Sequence, residues 1–265
     1  MATQALSLHA AAVRRYDPDR FFTALFAPPE KRDVLMLLYA FNHELARARE
    51  VASEPMLALI RLQWWREVVE GGPRRHELAT PLTAALEAGH LSRDDLLAMI
   101  EGREMEAEPA IQTLAEWRTY IDLSAGMLAV AAGRALGADE AVLERLRAVG
   151  SAYGVGGVLR SVTVRARAGR CLLPLDVLGA HGVTGEQVLG SPTFALPALR
   201  ELTAIGRGWL ASGLGRYDRP VLAAALPGVF AGRDLRRTST IDGQPRGLSD
   251  RLAVLFAAAT GRIRV

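Results

Sequence analysis

The sequence predicts an all-α bundle of roughly ten helices, and three observations carry that expectation. Apolar residues recur at helical spacing along most of the chain. The stripe is plainest in RDVLMLLYAFNHELARARE, residues 32–50, where Val34, Leu37, Leu38, Phe41, Leu45 and Ala48 share one face. Glycine, proline and short polar residues fall where such stripes begin and end. Strand signals are nearly absent: there is no alternating run, and no Asn-Gly or Asp-Gly turn joins β-rich flanks.

Taken in order, Ala2 to Arg15 reads as a first helix, broken at Asp17-Pro18. Asp17 or Asp19 caps the short helix DRFFTALFA, whose phenylalanines supply its packing face. Pro28-Pro29 ends it, and Pro29 at a first turn opens the 32–50 helix. Glu54 to Glu70 follows, with Leu57, Ile60, Leu62, Trp64, Trp65 and Val68 as a wide apolar band and Gly71-Gly72 as the stop. His76 to Ala88 is the next helix. Ser92, with Asp94 and Asp95 behind it, caps another that reaches about Glu108 before Pro109 interrupts.

Thr113 precedes one long expected helix over residues 114–136. Asp139 or the residue before it starts a second over 141–168, rich in glycine: Gly150, Gly154, Gly156 and Gly157. Each glycine costs a helix roughly 0.5–1 kcal/mol, so the run predicts a close neighbour or a local distortion. A loop with a short helix spans 167–183. Thr184 caps GEQVLG, Pro197 to Leu214 is helical, and residues 221–237 form a further helix. Asp242-Gly243 lies in a polar loop, and Ser249 caps the last helix, Leu248 to Thr260.

With 265 residues and half of them hydrophobic, the chain can bury a substantial core and reads as one domain, 1–265. A net charge of +3 tolerates an anionic partner without demanding one. The basic residues are scattered, and no nucleic-acid signature appears. One cysteine, Cys171, excludes an internal disulfide and reads as a buried small hydrophobe. Five histidines stand far apart without metal-ligand spacing. HExxH, GxGxxG, P-loop and GxSxG motifs are missing. The first residues lack the pattern of a signal peptide, and no long apolar run signals a membrane span; a cytoplasmic location is the default expectation.

Two blocks carry a resemblance. FFTALFAPPEKRDVLMLLYAF, residues 21–41, and AYGVGGVLRSVTVRARAGRCLLP, residues 152–174, resemble the first and second motif regions of the squalene/phytoene synthase family. RLQWWREVVEG, GREMEAEP and the 113–137 segment resemble the helices between them. The resemblance implies an isoprenoid-synthase-like helical bundle with a central cavity. It also implies head-to-head joining of prenyl diphosphates, in which aspartates spaced i,i+4 on facing helices hold Mg²⁺.

Carried over position by position, the first motif's aspartates fall at Ala46, Arg47 and Glu50, and the second's at Ser161 and Arg165. Only Glu50 keeps a carboxylate, and arginine opposes a cation by like charge. The expected degenerate or cavity-lining positions are therefore Tyr39, Asn42, His43, Ala46, Arg47, Glu50, Glu106, Tyr153, Ser161 and Arg165, with no catalytic, cofactor-binding or metal-binding residue assigned. Tyr39 and Tyr153 read as core caps or cavity hydroxyls, Glu106 as a surface carboxylate or a cavity group, and His43 as a packed imidazole. YAFNHELA and CLLPLDVLGAHGV are similar to a non-catalytic branch of the family, which includes a mitochondrial complex I assembly factor.

The resemblance thus implies a catalytically inactive protein that assembles respiratory complex I or a related membrane complex. It needs no cofactor, binds protein partners, and sits in the cytoplasm with a possible peripheral contact at the inner membrane. A lipid or isoprenoid ligand is compatible with it. The alternatives are a divergent prenyl-diphosphate transferase using Mg²⁺ and recruiting Glu44, Glu50, Glu104 and Glu106, or a lipid carrier.

Overall fold

The first helix, α1 (Leu8–Tyr16), is capped by Ser7, whose hydroxyl accepts from the Ala10 amide. The structure is a computed structural model that describes residues 7–52, 54–72, 74–237 and 245–264. The earlier start expected at Ala2 and the loop around Asp242-Gly243 lie outside those residues. Asp17 caps α2 (Pro18–Ala24), and a 3-10 turn at Pro29–Lys31 leads into α3 (Arg32–Glu50). Helix α3 buries its apolar stripe from Leu37 onward together with Tyr39 and Asn42, while Val34 is half-buried.

In α4 (Pro55–Val69), Leu62, Trp65 and Val68 face the core, with Trp64 set edge-on against Trp65. Leu57 and Ile60, expected in the same band, are exposed instead: Ile60 lies on the far side of the helix from Leu62, and Leu57 lies in the first turn at the edge of the buried face. Helix α5 (Ala79–Glu87) starts three residues later than expected, since His76 turns its Nδ1 onto the Leu78 amide. Helix α6 (Arg93–Glu104), capped by Ser92, ends in a 3-10 turn at Met105–Ala107.

The long helix expected after Thr113 is interrupted. Helix α7 (Leu114–Ile121) passes through a π turn, Asp122–Gly126, into α8 (Met127–Ala135). The Ser124 hydroxyl donates back to the Tyr120 carbonyl at 2.6 Å. Two neighbours press on this turn. A side chain on Gly102 of α6 would sit 2.8 Å from the Ser124 amide; one on Gly150 would sit 2.5 Å from the Ala125 carbonyl.

Gly150 belongs to α9 (Glu140–Arg160), the axis of the molecule. Its flanks pack against the π turn, α8, α13 (Leu196–Gly213) and α15 (Pro227–Asp234). Three of the four glycines thus admit close neighbours; Gly157 faces open space. Helix α9 stops at Ser161, whose hydroxyl donates to the Val158 carbonyl, and α10 (Val162–Arg167) continues beyond the break. Helices α11 (Leu175–Ala180), α12 (Gly185–Gly190) and α14 (Leu222–Ala225) are short.

Helix α16 (Leu248–Thr260) is entered from Gly247, not capped by Ser249; the Asp250 carboxylate accepts the Gly247 amide at 2.9 Å. An unexpected two-residue ladder, β1 (Gly215–Arg216) with β2 (Arg262–Ile263), ties the chain after α16 to the end of α13. Apolar residues gather in two clusters, and Tyr153 and Leu214 touch both. Among the described residues, no helix is long and apolar enough to cross a membrane.

Candidate functional site

Pro109 and the 3-10 turn before it bring Glu106 off the end of α6 and into the interior, where it is 3% exposed. Its carboxylate accepts from Arg103 at 2.6 Å, Arg170 at 2.8 Å and the Tyr120 hydroxyl at 3.0 Å. Arg103 also reaches Asn42 of α3 at 3.4 Å. Burial alone would push the Glu106 carboxyl up. The guanidinium groups of Arg103, Arg165 and Arg170 outweigh burial and hold it down at about 2. Burial, reinforced by that carboxylate, pushes the Tyr120 hydroxyl up to about 12. Glu106 is therefore ionised and bonded on both oxygens.

Ser161 and Arg165 face this cluster from the break between α9 and α10. Arg165 donates to the Ser161 hydroxyl at 3.1 Å and lends its charge to Glu106. The structure thus brings together Asn42, Glu106, Ser161 and Arg165 of the expected positions.

Tyr39 and Tyr153 meet through Arg20 of α2. The guanidinium carbon lies 5.9 Å and 4.7 Å from their ring centroids, and Asp17 holds the same group at 2.8 Å. The space among Arg20, Tyr39, Leu128, Gly150 and Tyr153 is about 10 Å³, room for one water at most. Beyond Tyr153 opens a cleft of about 740 Å³, lined by Phe21, Phe22, Arg160 and Arg246 among others. At its base Arg246 donates to Asp19 at 2.8 Å and to both oxygens of Asp234 at 2.6 and 2.8 Å. Tyr153 donates to Asp19 at 3.1 Å.

The other expected positions lie apart. His43 stacks on Tyr16 at 4.3 Å, with its buried Nε2 finding no partner among the described residues; burial lowers its pKa and favours the neutral ring. It lines an outer groove of about 260 Å³ with His9, His76 and Arg47. Arg47 pairs with Glu44 at 3.2 Å, Glu50 is exposed, and Ala46 is half-buried.

The four carboxylates that a divergent transferase would recruit do not converge. Glu104 pairs with Arg66 at 2.9 Å on the flank of α6, Glu106 is enclosed, and Glu44 and Glu50 face outward. Among the described residues, no group of three or more His, Cys, Asp or Glu is placed to hold a metal ion. Mg²⁺ requires several oxygen donors in near-octahedral array, and this donor set does not fit it.

The sequence reading missed Arg103 and Tyr120. The i,i+3 spacing of Arg103 and Glu106 was a readable signal. Arg20 carried the same local signal in Asp17, three residues before it; Asp234 and Arg246 carried none, because Arg246 reaches back to Asp234 and Asp19 from a separate segment. Cys171, expected to be buried, is half-buried, and burial raises its thiol pKa.

A family model described as squalene/phytoene synthase matches residues 13–251. The chain belongs to the squalene/phytoene synthase family. A dehydrosqualene synthase solved with ligand shares the fold at a TM-score of 0.77 and 12% identity, covering 95% of this chain and 94% of that one. The 15-cis-phytoene synthase of a Paracoccus species is 28% identical over 264 residues, 91% of this chain and 84% of its own. The NADH dehydrogenase (ubiquinone) complex I assembly factor 6 of Rattus norvegicus is 28% identical over 183 residues, 67% of this chain. That match spans 55% of the rat protein, so the chain covers about half the length of this relative.

Proposed function

We propose that this chain, a single squalene/phytoene synthase-like domain over residues 1–265, is a non-catalytic member of the family that serves assembly of respiratory complex I or a related membrane complex. One observation carries the reading. Glu106, an interior carboxylate on which Arg165 of the degenerate second motif acts, is bound by Arg103, Arg170 and Tyr120. Diphosphate ionisation assisted by Mg²⁺ needs several free carboxylates at that place. Similarity to the rat complex I assembly factor supports the partner class. In this reading the chain acts by binding protein subunits, works from the cytoplasmic side, and makes a peripheral contact with the membrane; an isoprenoid or lipid ligand is compatible with it.

A second reading has its own observation. The Paracoccus phytoene synthase matches far more of the chain than the assembly factors do, which favours a divergent transferase. Incubation with farnesyl or geranylgeranyl diphosphate and Mg²⁺, followed by mass spectrometry of extracted lipid, separates the two. The expected result is no coupled product and no Mg²⁺-dependent binding by calorimetry. Turnover to a coupled prenyl product would overturn the non-catalytic reading. In the native host, deletion of the gene is expected to lower assembled complex I on native gels; an unchanged complex would remove the assembly role.

A further inference from the structure

Helix α16 is apolar on two opposite faces. Asp250, Val254, Ala257 and Ala258 pack inward. Leu248, Leu252, Leu255 and Phe256 point away from the body and are 74%, 53%, 44% and 62% exposed. At 100° per residue these four, with Ala259, fall within a single arc of about 100°. A helix that spends large apolar side chains on solvent marks a binding surface.

Along the segment that carries that arc, the exposed charges are of one sign. From Pro245 to Arg264 the chain carries Arg246, Arg251, Arg262 and Arg264 against one acid, Asp250. Asp250 is buried, and Arg233 and Arg237 both bond it. Burial would raise its carboxyl, but those hydrogen bonds hold it at about 2; buried and paired on the inner side, it faces away from the exposed arc. Arg251, Arg262 and Arg264 are exposed. Beside Arg251 the wall of the 740 Å³ cleft continues to Leu25, itself 42% exposed. Helix α4 also exposes Met56, Leu57 and Ile60, but acidic Glu54 and Glu70 are exposed on the same helix and its flanks. An arginine-rimmed leucine and phenylalanine stripe matches an interface with acyl chains below and anionic headgroups around it.

We propose that the outer face of α16 is a docking surface for an anionic lipid bilayer, with Leu248, Leu252, Leu255 and Phe256 entering the headgroup boundary and Arg251, Arg262 and Arg264 pairing with lipid phosphates. It rests on the membrane contact in the proposed function and is independent of whether the chain catalyses.

Co-sedimentation of the full chain with phosphatidylcholine vesicles, with and without phosphatidylglycerol, tests it. Binding is expected only with phosphatidylglycerol, weakening as salt rises. The double variants Leu252→Glu/Phe256→Glu and Arg251→Glu/Arg262→Glu are each expected to lower partitioning by about tenfold or more. Ile60→Glu on α4 is expected to leave it unchanged. Circular dichroism checks that each variant folds. As a readout without added charge, Phe256→Trp is expected to gain blue-shifted emission on addition of anionic vesicles.

Binding of the wild-type chain to no vesicle would overturn both this surface and the membrane contact. Equal binding by wild type and the α16 variants, with no shift for Phe256→Trp, would overturn this surface and leave the membrane contact standing. A concentration-dependent dimer in the absence of vesicles, abolished by Leu252→Glu/Phe256→Glu, would assign the face to a second copy and overturn the lipid proposal.

Discussion

Glu106 shows how one side chain changes meaning with its surroundings. A buried carboxylate bonded by two arginines and a tyrosine is stable only while all the partners stay. Glu106→Ala strands Arg103 and Arg170 in a desolvated site and is expected to cost about 3–5 kcal/mol in urea denaturation. The pH dependence has a defined sign. The folded-state pKa lies near 2, below the ordinary 4.5, so the stabilisation is complete above about 4.5 and is lost as pH falls toward 2. Wild type is expected to lose stability steeply across that window, and Glu106→Gln to lose less of its own. A parallel acid titration of the two would contradict the assignment.

At the scale of single elements, α9 offers a test within one helix. Gly150 has no room for a methyl group, since a side chain there would meet the Ala125 carbonyl at 2.5 Å. Gly150→Ala is expected to destabilise by about 1–3 kcal/mol through overpacking. Gly157 meets nothing within 4 Å, so Gly157→Ala is expected to stabilise by about 0.5–1 kcal/mol. Thermal melts of both variants check the contrast; equal shifts would mean that the glycines serve composition and not contact.

The helices were legible because their signals are local: Ser92, Thr113, Asp139 and Thr184 each cap the helix that the sequence places after them. The break at Ser161 and the π turn at Asp122–Gly126 were not legible, since both answer to neighbours brought in by the fold. The candidate site was half legible for the same reason. Tyr39 and Asn42 were named together with His43 and Arg47 as positions of the degenerate first motif, yet the structure buries the first two in α3 and turns the other two toward the outer groove.

Across the whole molecule, Arg246 joins parts that the chain keeps far apart. It bonds Asp19 across 227 positions and closes a bidentate pair with Asp234 at the end of α15. That clamp sets the chain just before α16 against the floor of the cleft. Arg246→Ala leaves Asp234 with Arg160 at 3.5 Å and Asp19 with the Tyr153 hydroxyl as their remaining partners, and a loss of about 1.5–3 kcal/mol is expected for the charged hydrogen bonds removed. Amide exchange should accelerate first in α16 and in the first turns of α2. Exchange that rises evenly along the chain would argue against a clamp.

The π turn between α7 and α8 has a consequence for anyone rebuilding this protein by sequence transfer. A π turn holds one residue more than an α-helical register needs. Removing Ala125 would let residues on both sides join as one regular helix. Leu128 and Ala132 would keep their seats, because the residue removed is the one that the regular register does not use. Grafts counted forward from Trp117 would arrive out of phase, whereas grafts counted back from Gly137 would land where intended.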